Sequence, residues 1–183
     1  MLLKDDTTRA CEKAIAAIAQ GDKEALTVLY HSYARMICSV AKSILASSDE
    51  VEDVLQETML RVVKYAKTYR AGSNPAAWVL SIARNCAKDL AADRPPRGSL
   101  SIDGEGSEAL NRLCADGSLG FEEAAILRDA LKTLSPEETA IVKLKYFYGF
   151  SFQEIACVLE TNAAAVNKKC QRAIKKLQRY FKE

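Results

Sequence analysis

Ser151-Phe-Gln-Glu-Ile-Ala-Cys-Val-Leu159, followed by Glu160-Thr161-Asn162 and then Ala163 onward to Phe181, reads as helix, tight turn, helix. Ser151 with Glu154 three residues on is a capping box, which sets where the first helix starts. Ala156 is small enough to let a second helix approach closely, and Ile155 and Leu159 supply apolar contacts. Asn162 is a good N-cap for the second helix. There Val166, Cys170, Ile174, Leu177 and Phe181 recur at spacings of three and four, an apolar stripe of helical period. Lys168, Lys169, Arg172, Lys175, Lys176, Arg179 and Lys182 stand between them, with no acidic residue before Glu183. Basic residues near a helix C-terminus also complement its dipole, so charge alone decides little. With the capped helix before it, the pattern is that of a helix-turn-helix whose second helix enters a DNA major groove.

The rest of the composition narrows the alternatives. The chain has 183 residues, 49% of them hydrophobic, enough for one or two packed domains. A net charge of +2 is too small to make the whole chain a polyelectrolyte, so nucleic-acid contact must come from local clustering. Residues 121–183 carry 11 basic and 8 acidic side chains, whereas the first 120 carry 15 and 16. Cys11, Cys38, Cys86, Cys114, Cys157 and Cys170 include no CxxC pair, and His31 is the only histidine. Neither a zinc site nor any other metal or cofactor is therefore expected. Cys86, Cys157 and Cys170 fall at helical positions compatible with packing, and read as buried reduced thiols. No signal peptide and no apolar run of membrane-spanning length is present, so a soluble, cytoplasmic protein without membrane insertion is expected. One histidine, no phosphate-cradling glycine motif and no nucleophile elbow leave no catalytic residues to name.

From the N-terminus, residues 9–20 are Ala-rich and helical, and Gly21 stops them. Asp22 can cap a second helix, in which Leu26, Leu29, Tyr30, Tyr33, Ile37, Val40, Ala41 and Ile44 follow the helical period. Ser47-Ser48-Asp49 breaks it and supplies caps for a third helix over roughly 50–69. The buried phase of that helix is Val51, Val54 and Leu55, Thr58, Val62, Tyr65 and Ala66, and Tyr69. After a polar loop through Asn74, Pro75 suits the first turn of a fourth helix running to about Ala92. Trp78, Ile82, Cys86 and Leu90 share one of its faces, and Trp78 reads as core. Pro95-Pro96 ends it. Five of the eight glycines then fall between Gly98 and Gly120, the composition of a flexible linker with a short turn near Leu110–Leu113. Helical spacing resumes over 121–134. Ser135-Pro136-Glu137-Glu138 combines cap, first-turn proline and capping-box acid, opening a helix that ends at Gly149. No β-type alternation occurs. The expected class is all-α: two small helical domains, 1–94 and 121–183, joined by a linker over 95–120, the second containing the helix-turn-helix.

Two sets of residues carry a family resemblance. Asp49-Glu-Val-Glu-Asp-Val-Leu-Gln-Glu-Thr-Met-Leu-Arg61, Asn74-Pro-Ala-Ala-Trp78, Ile82-Ala-Arg-Asn85 and Asp89 resemble the second domain of bacterial sigma factors. Leu134-Ser-Pro-Glu-Glu, Tyr146, Ser151-Phe-Gln-Glu-Ile-Ala, and Val166 with Lys169, Arg172 and Ala173 resemble the fourth domain of the same family. With only these two domains and a short linker, the chain resembles an extracytoplasmic-function (ECF) sigma factor over residues 23–94 and 121–181. It departs from the family where Glu160 stands in place of a common turn glycine and Thr161 in place of an apolar residue. Outside glycine a left-handed turn residue is sterically disfavoured, so either the turn departs from the usual geometry or Asn162 takes the left-handed position. Asn167 and Lys168 replace a Lys followed by a small residue, and Asn74-Pro75 replaces a common Ser-Phe.

The resemblance implies three working surfaces. Asp53, Gln56, Glu57 and Arg61 match the family's contact with the clamp helices of the largest subunit of core RNA polymerase, and the fourth domain would meet the flap of the second largest. Tyr69, Arg70, Ser73, Asn74, Arg84, Asn85 and Lys88 would capture and flank the minus-ten element of promoter DNA, where melting exposes unstacked bases. Ala164, Ala165, Asn167, Lys168, Lys169, Gln171, Arg172, Lys175 and Lys176 would face the minus-thirty-five element. Asn167 is able to read adenine and Lys168 or Lys169 guanine, while Lys175 and Lys176 suit phosphates. An anti-sigma factor is implied as a further partner. The alternative is a sigma-like helix-turn-helix regulator acting without core polymerase. It would leave the match over residues 49–89 unexplained.

Overall fold

The apolar periods above close into eight helices in the computed structural model, which describes residues 2–45, 47–93 and 121–182, with the side chains of 2–5, 121–125 and 128 excepted. In chain order these are α1 (Leu2–Ala19), α2 (Leu26–Lys42), α3 (Ser48–Tyr65) with a 3₁₀ turn at Ala66–Thr68, α4 (Pro75–Ala92), α5 (Phe121–Lys132), α6 (Pro136–Val142), α7 (Phe152–Val158) and α8 (Ala163–Tyr180). No strand occurs among the described residues. The expected linker over 95–120, and with it the turn near Leu110–Leu113, lies outside them.

Local chemistry explains most of the boundaries. Gly21, at φ +102°, ends α1 in a backbone conformation that glycine adopts without a Cβ clash. Asn74 Oδ1 accepts the Ala77 N–H at 3.1 Å and Pro75 occupies the first turn, which fixes the start of α4. Both capping boxes form, Ser135 with Glu138 and Ser151 with Glu154. Other expectations need correction. The third helix starts at Ser48 and ends at Tyr65, because the chain tightens into the 3₁₀ turn, and Tyr65 is left 40% exposed. The helix opened at Pro136 widens into a π turn over Lys143–Phe147, where the Tyr148 N–H reaches back to the Lys143 carbonyl. That extra residue per turn leaves Leu144 and Phe150 buried while Tyr146 and Phe147 stay exposed.

The first four helices bury Ile15, Leu29, Ile37, Val40, Val51, Val54, Val62 and Leu80 almost completely, and the later helices do the same with Ile141, Leu144, Ile155, Val158 and Val166. Each such aliphatic side chain stabilises the fold by about 1.5–3 kcal/mol. The two sets belong to one continuous apolar cluster, because α4 packs on α7 and α2 on α6. A small satellite of Leu134, Val142 and Ala173, flanked by Leu131 and Leu177, lies apart from it. Phe181, expected on the packed stripe, is 59% exposed, since it lies beyond the last turn of α8. Cys11, Cys38, Cys86 and Cys170 are buried thiols outside any disulfide, but Cys157 is exposed, contrary to its expected packing. It sits on the outer side of a seven-residue helix whose inner side is Ile155, Ala156 and Val158.

Candidate nucleic-acid and polymerase interface

The second helix of the pair is held from beneath and open above. Asn162 Oδ1 accepts the Ala165 N–H at 2.8 Å, and Val166, Cys170 and Ala173 are buried. The expected reading face is on the other side. Ala164, Lys168, Gln171, Arg172, Lys175 and Lys176 are exposed, and Ala165, Asn167 and Lys169 are partly covered. Two lysines are braced by the acidic first turn of α6: Lys169 Nζ donates to Glu137 Oε1 at 2.6 Å, and Lys176 Nζ to Glu138 Oε2 at 2.7 Å. Burial opposes the charge on Glu138, but the bonds from Lys176 and from the Ser135 backbone outweigh it and hold the carboxyl below its ordinary value. The turn itself resolves the departure at its centre. Glu160 takes the left-handed conformation, with φ +47°, while Asn162 is extended and serves as cap.

On α3, Asp53 and Gln56 are exposed, and Glu57 and Arg61 are partly buried. Arg61 donates from Nε to Glu57 Oε1 and from Nη1 to Asp89 Oδ2, both at 2.7 Å. These bonds raise the already high pKa of the guanidinium. The same residues, with Asp53, Asp93 and Leu90, border a shallow cleft of about 160 Å³ between α3 and α4. Asp89 thereby joins this surface. Its pairing with Arg61 spans 28 residues and has no local signature.

The loop between α3 and α4 is internally tied. Tyr69 Oη donates to the Ser73 carbonyl at 2.6 Å and lies 3.2 Å from Glu12 Oε1, while Ser73 Oγ donates to the Arg70 carbonyl at 2.7 Å. The Gly72 N–H also reaches Glu12 Oε1, at 3.1 Å. Tyr69 stacks edge-on against Trp78, with ring centroids 5.2 Å apart, and burial raises the phenol pKa. Trp78, expected in the core, is only partly buried and packs at its margin. Arg70 and Ser73 are exposed.

Three residues expected to meet the minus-ten element contact the C-terminal helices. Asn74 Nδ2 donates to Glu154 Oε1 at 2.6 Å, and Lys88 Nζ donates to Glu160 Oε2 at 2.7 Å. Arg84 Nη1 stands 2.5 Å from that same Glu160 oxygen, a charge contact and not a directed hydrogen bond. The Arg84 side chain is only 10% exposed, whereas Asn85 beside it is open to solvent. The bond from Lys88, then the pairing with Arg84, lower the Glu160 pKa.

A capped helix-turn-helix with a cationic outer face, set on a second all-α unit, has the build of a DNA-binding protein. Comparison makes the class specific. Residues 29–95 match the model for sigma-70 region 2 and residues 124–177 the model for sigma-70 region 4. The chain is 25% identical over 181 residues to the ECF RNA polymerase sigma factor SigL of Mycobacterium tuberculosis, covering 92% of this chain and 96% of that one. It is 28% identical over 180 residues to the ECF sigma factor BldN of Streptomyces coelicolor, covering 95% of this chain and 66% of that protein. In fold it is similar to CnrH in complex with the cytosolic domain of CnrY, with TM-score 0.60, 21% identity and coverage of 94% and 97%. It is also similar to RpoE of Bartonella quintana in complex with the anti-sigma factor NepR, with TM-score 0.57, 22% identity and coverage of 85% and 93%. The chain belongs to the sigma-70 family, in its ECF group. It is thus a transcription initiation factor that works with core RNA polymerase and is not itself a catalyst.

Proposed function

We propose that residues 1–94 grip polymerase and open the minus-ten element, that residues 121–183 dock the minus-thirty-five element, and that 95–120 join them. Asp53, Gln56, Glu57 and Arg61 present α3 to the clamp helices, with Asp89 holding Arg61 in place, and the C-terminal unit meets the flap. Tyr69, Arg70, Ser73 and Asn74 take up unstacked bases, and Arg84, Asn85 and Lys88 follow the duplex upstream. Ala164, Ala165, Asn167, Lys168, Lys169, Gln171 and Arg172 read base edges, with Lys175 and Lys176 on phosphates. The observation that carries this reading is the presence of both sigma-70 regions in one chain, the second with a largely exposed basic helix face.

CnrH and RpoE, which share the fold, were each captured with a second protein, in the latter case an anti-sigma factor. By that likeness an anti-sigma factor is the expected regulator here. No described helix is long and apolar enough to cross a membrane. Cytoplasmic action follows from the partners proposed, polymerase and promoter DNA. The test is transcription in vitro with bacterial core polymerase over a random promoter library. Defined start sites should arise only when this chain is added, and a chain that shifts promoter DNA but yields none would refute the assignment.

A further inference from the structure

We infer that Glu137 of α6 is a positioning residue for base recognition: it holds the Lys169 ammonium where it reads guanine in the minus-thirty-five element. The inference rests on the assignment of α8 to that element proposed above, and it selects Lys169 over Lys168 as the guanine reader. Lys169 Nζ donates to Glu137 Oε1 at 2.6 Å, and both side chains keep an exposed edge, 41% and 42%. Lys168 beside it is exposed, and among the described residues it has no acidic partner. The platform under Glu137 is rigid. Pro136 fills the first turn of α6, and the capping box of Ser135 with Glu138 closes that turn. Val142 of α6 packs with Ala173 of α8 in the satellite cluster, while Ile141, Val166 and Cys170 lie in the main core.

An unbraced lysine is a hydrated point charge on a flexible stem, and it can meet any phosphate within reach. The brace changes what it recognises. An ammonium has three donors, so two remain once Glu137 has taken one. Guanine offers two neighbouring acceptors, N7 and O6, on its major-groove edge. Adenine and cytosine present a donor there, and thymine sets its single acceptor beside a methyl group. The pair of Glu137 and Lys169 is also neutral as a unit, so it releases few counterions from DNA of any sequence. Lys176 is paired with Glu138 in the same manner, but it lies about 10 Å further along the axis at roughly 1.5 Å per residue. Base edges are met by the early residues of a recognition helix, so only the Glu137 brace acts on a base reader.

The test titrates polymerase holoenzyme carrying the wild-type chain, Glu137→Gln, Lys169→Ala or both changes. The targets are a promoter selected from the random library, its single base-pair substitutions across the minus-thirty-five element, and a random duplex. Wild type should prefer G·C at one position of the element by about tenfold, and each single variant should reduce that preference to within about twofold. In the Lys169→Ala background, Glu137→Gln should have no further effect on it. Freed from its acid, Lys169 should turn to phosphate. Glu137→Gln should therefore raise random-duplex affinity about threefold and steepen the salt slope by about one. A merely structural role for Glu137 would lower the melting temperature and leave the base preference in place. No G·C preference in wild type, or one that survives in Glu137→Gln, overturns the inference. So does a preference lost in Glu137→Gln at a position that Lys169→Ala leaves untouched. Failure of the sigma reading shows separately, as no start sites from any of the four proteins.

Discussion

The carboxylate of Glu12 accepts the backbone N–H of Gly72 at 3.1 Å, tying α1 to the loop between α3 and α4 across 60 residues. Gly72 sits at φ +81°, a conformation natural to glycine, and the Tyr69 hydroxyl lies against the same carboxylate. Glu12 lies outside residues 29–95, the span of the region 2 match, yet it shapes the loop proposed to capture unstacked bases. Replacing it by Ala should remove about 1 kcal/mol of loop order and cut promoter opening roughly fivefold. Polymerase affinity should not change. Glu12→Gln keeps an acceptor for Gly72 and should restore most of the loss. Permanganate footprinting of the melted strand, beside a polymerase titration, separates the two effects.

Arg61 bridges Glu57 on its own helix and Asp89 on α4. Both pairs are partly exposed, so together they stabilise the fold by only about 1 kcal/mol. Their larger consequence is position, because the guanidinium is clamped in one orientation on the surface proposed for the clamp helices. Arg61→Ala should therefore lower polymerase affinity by about tenfold while moving the melting temperature by only a few degrees. Competition binding against a labelled sigma factor, with a thermal melt of each protein, reads both. A large fall in melting temperature with unchanged affinity would assign Arg61 to the fold alone.

Where structure depends on neighbours within a few residues, it was legible in the sequence. Asn74 and Pro75 announced the start of α4, and Ser135 with Glu138 and Ser151 with Glu154 announced α6 and α7. The π turn was not legible, because an extra residue in one turn leaves the apolar spacing around Ile141 and Leu144 almost unchanged. Cys157 was misjudged because seven residues are too few turns to fix the phase of a helix. The contacts of Asn74 with Glu154 and Lys88 with Glu160 span 80 and 72 residues and leave no periodic trace. Glu160 was visible only as a residue standing where glycine is usual. Its pairing with Arg84 and Lys88 appears only once α4 is seen beside the turn.

Lys169 and Lys176 lie two turns apart on α8 and are braced by adjacent acids of α6, Glu137 and Glu138. Lys169 is in the part of the helix proposed to meet base edges, so Lys169→Ala should cost about 1–3 kcal/mol on the promoter and little on random DNA. Lys176 is the residue proposed to contact phosphate. Its replacement by Ala should weaken binding to all sequences alike and reduce the salt slope by about one. Titrations of polymerase holoenzyme on promoter and random duplexes at several salt concentrations distinguish them. Equal losses on both duplexes for both variants would contradict the division.

The bond between Lys176 and Glu138 also makes a prediction about acid. Glu138 is held below its ordinary value of 4.5, since the hydrogen bonds from Lys176 and Ser135 outweigh the effect of burial. A carboxyl depressed in the folded state contributes stability that is fully present above its unfolded pKa and is lost as pH falls through the folded one. The contribution should thus be intact at neutral pH and be lost as the pH falls below about 4.5, where Lys176 loses its anionic partner while the neutral carboxyl can still accept from the Ser135 N–H. Glu138→Gln can preserve the cap but not the charge. It should melt lower than wild type at neutral pH, and the gap should close as the pH is lowered past that range. Melts of both proteins followed by helical circular dichroism between pH 3 and 7 measure this. A gap that stays constant over the whole interval would show that the Lys176 bond does not stabilise the charged form of Glu138.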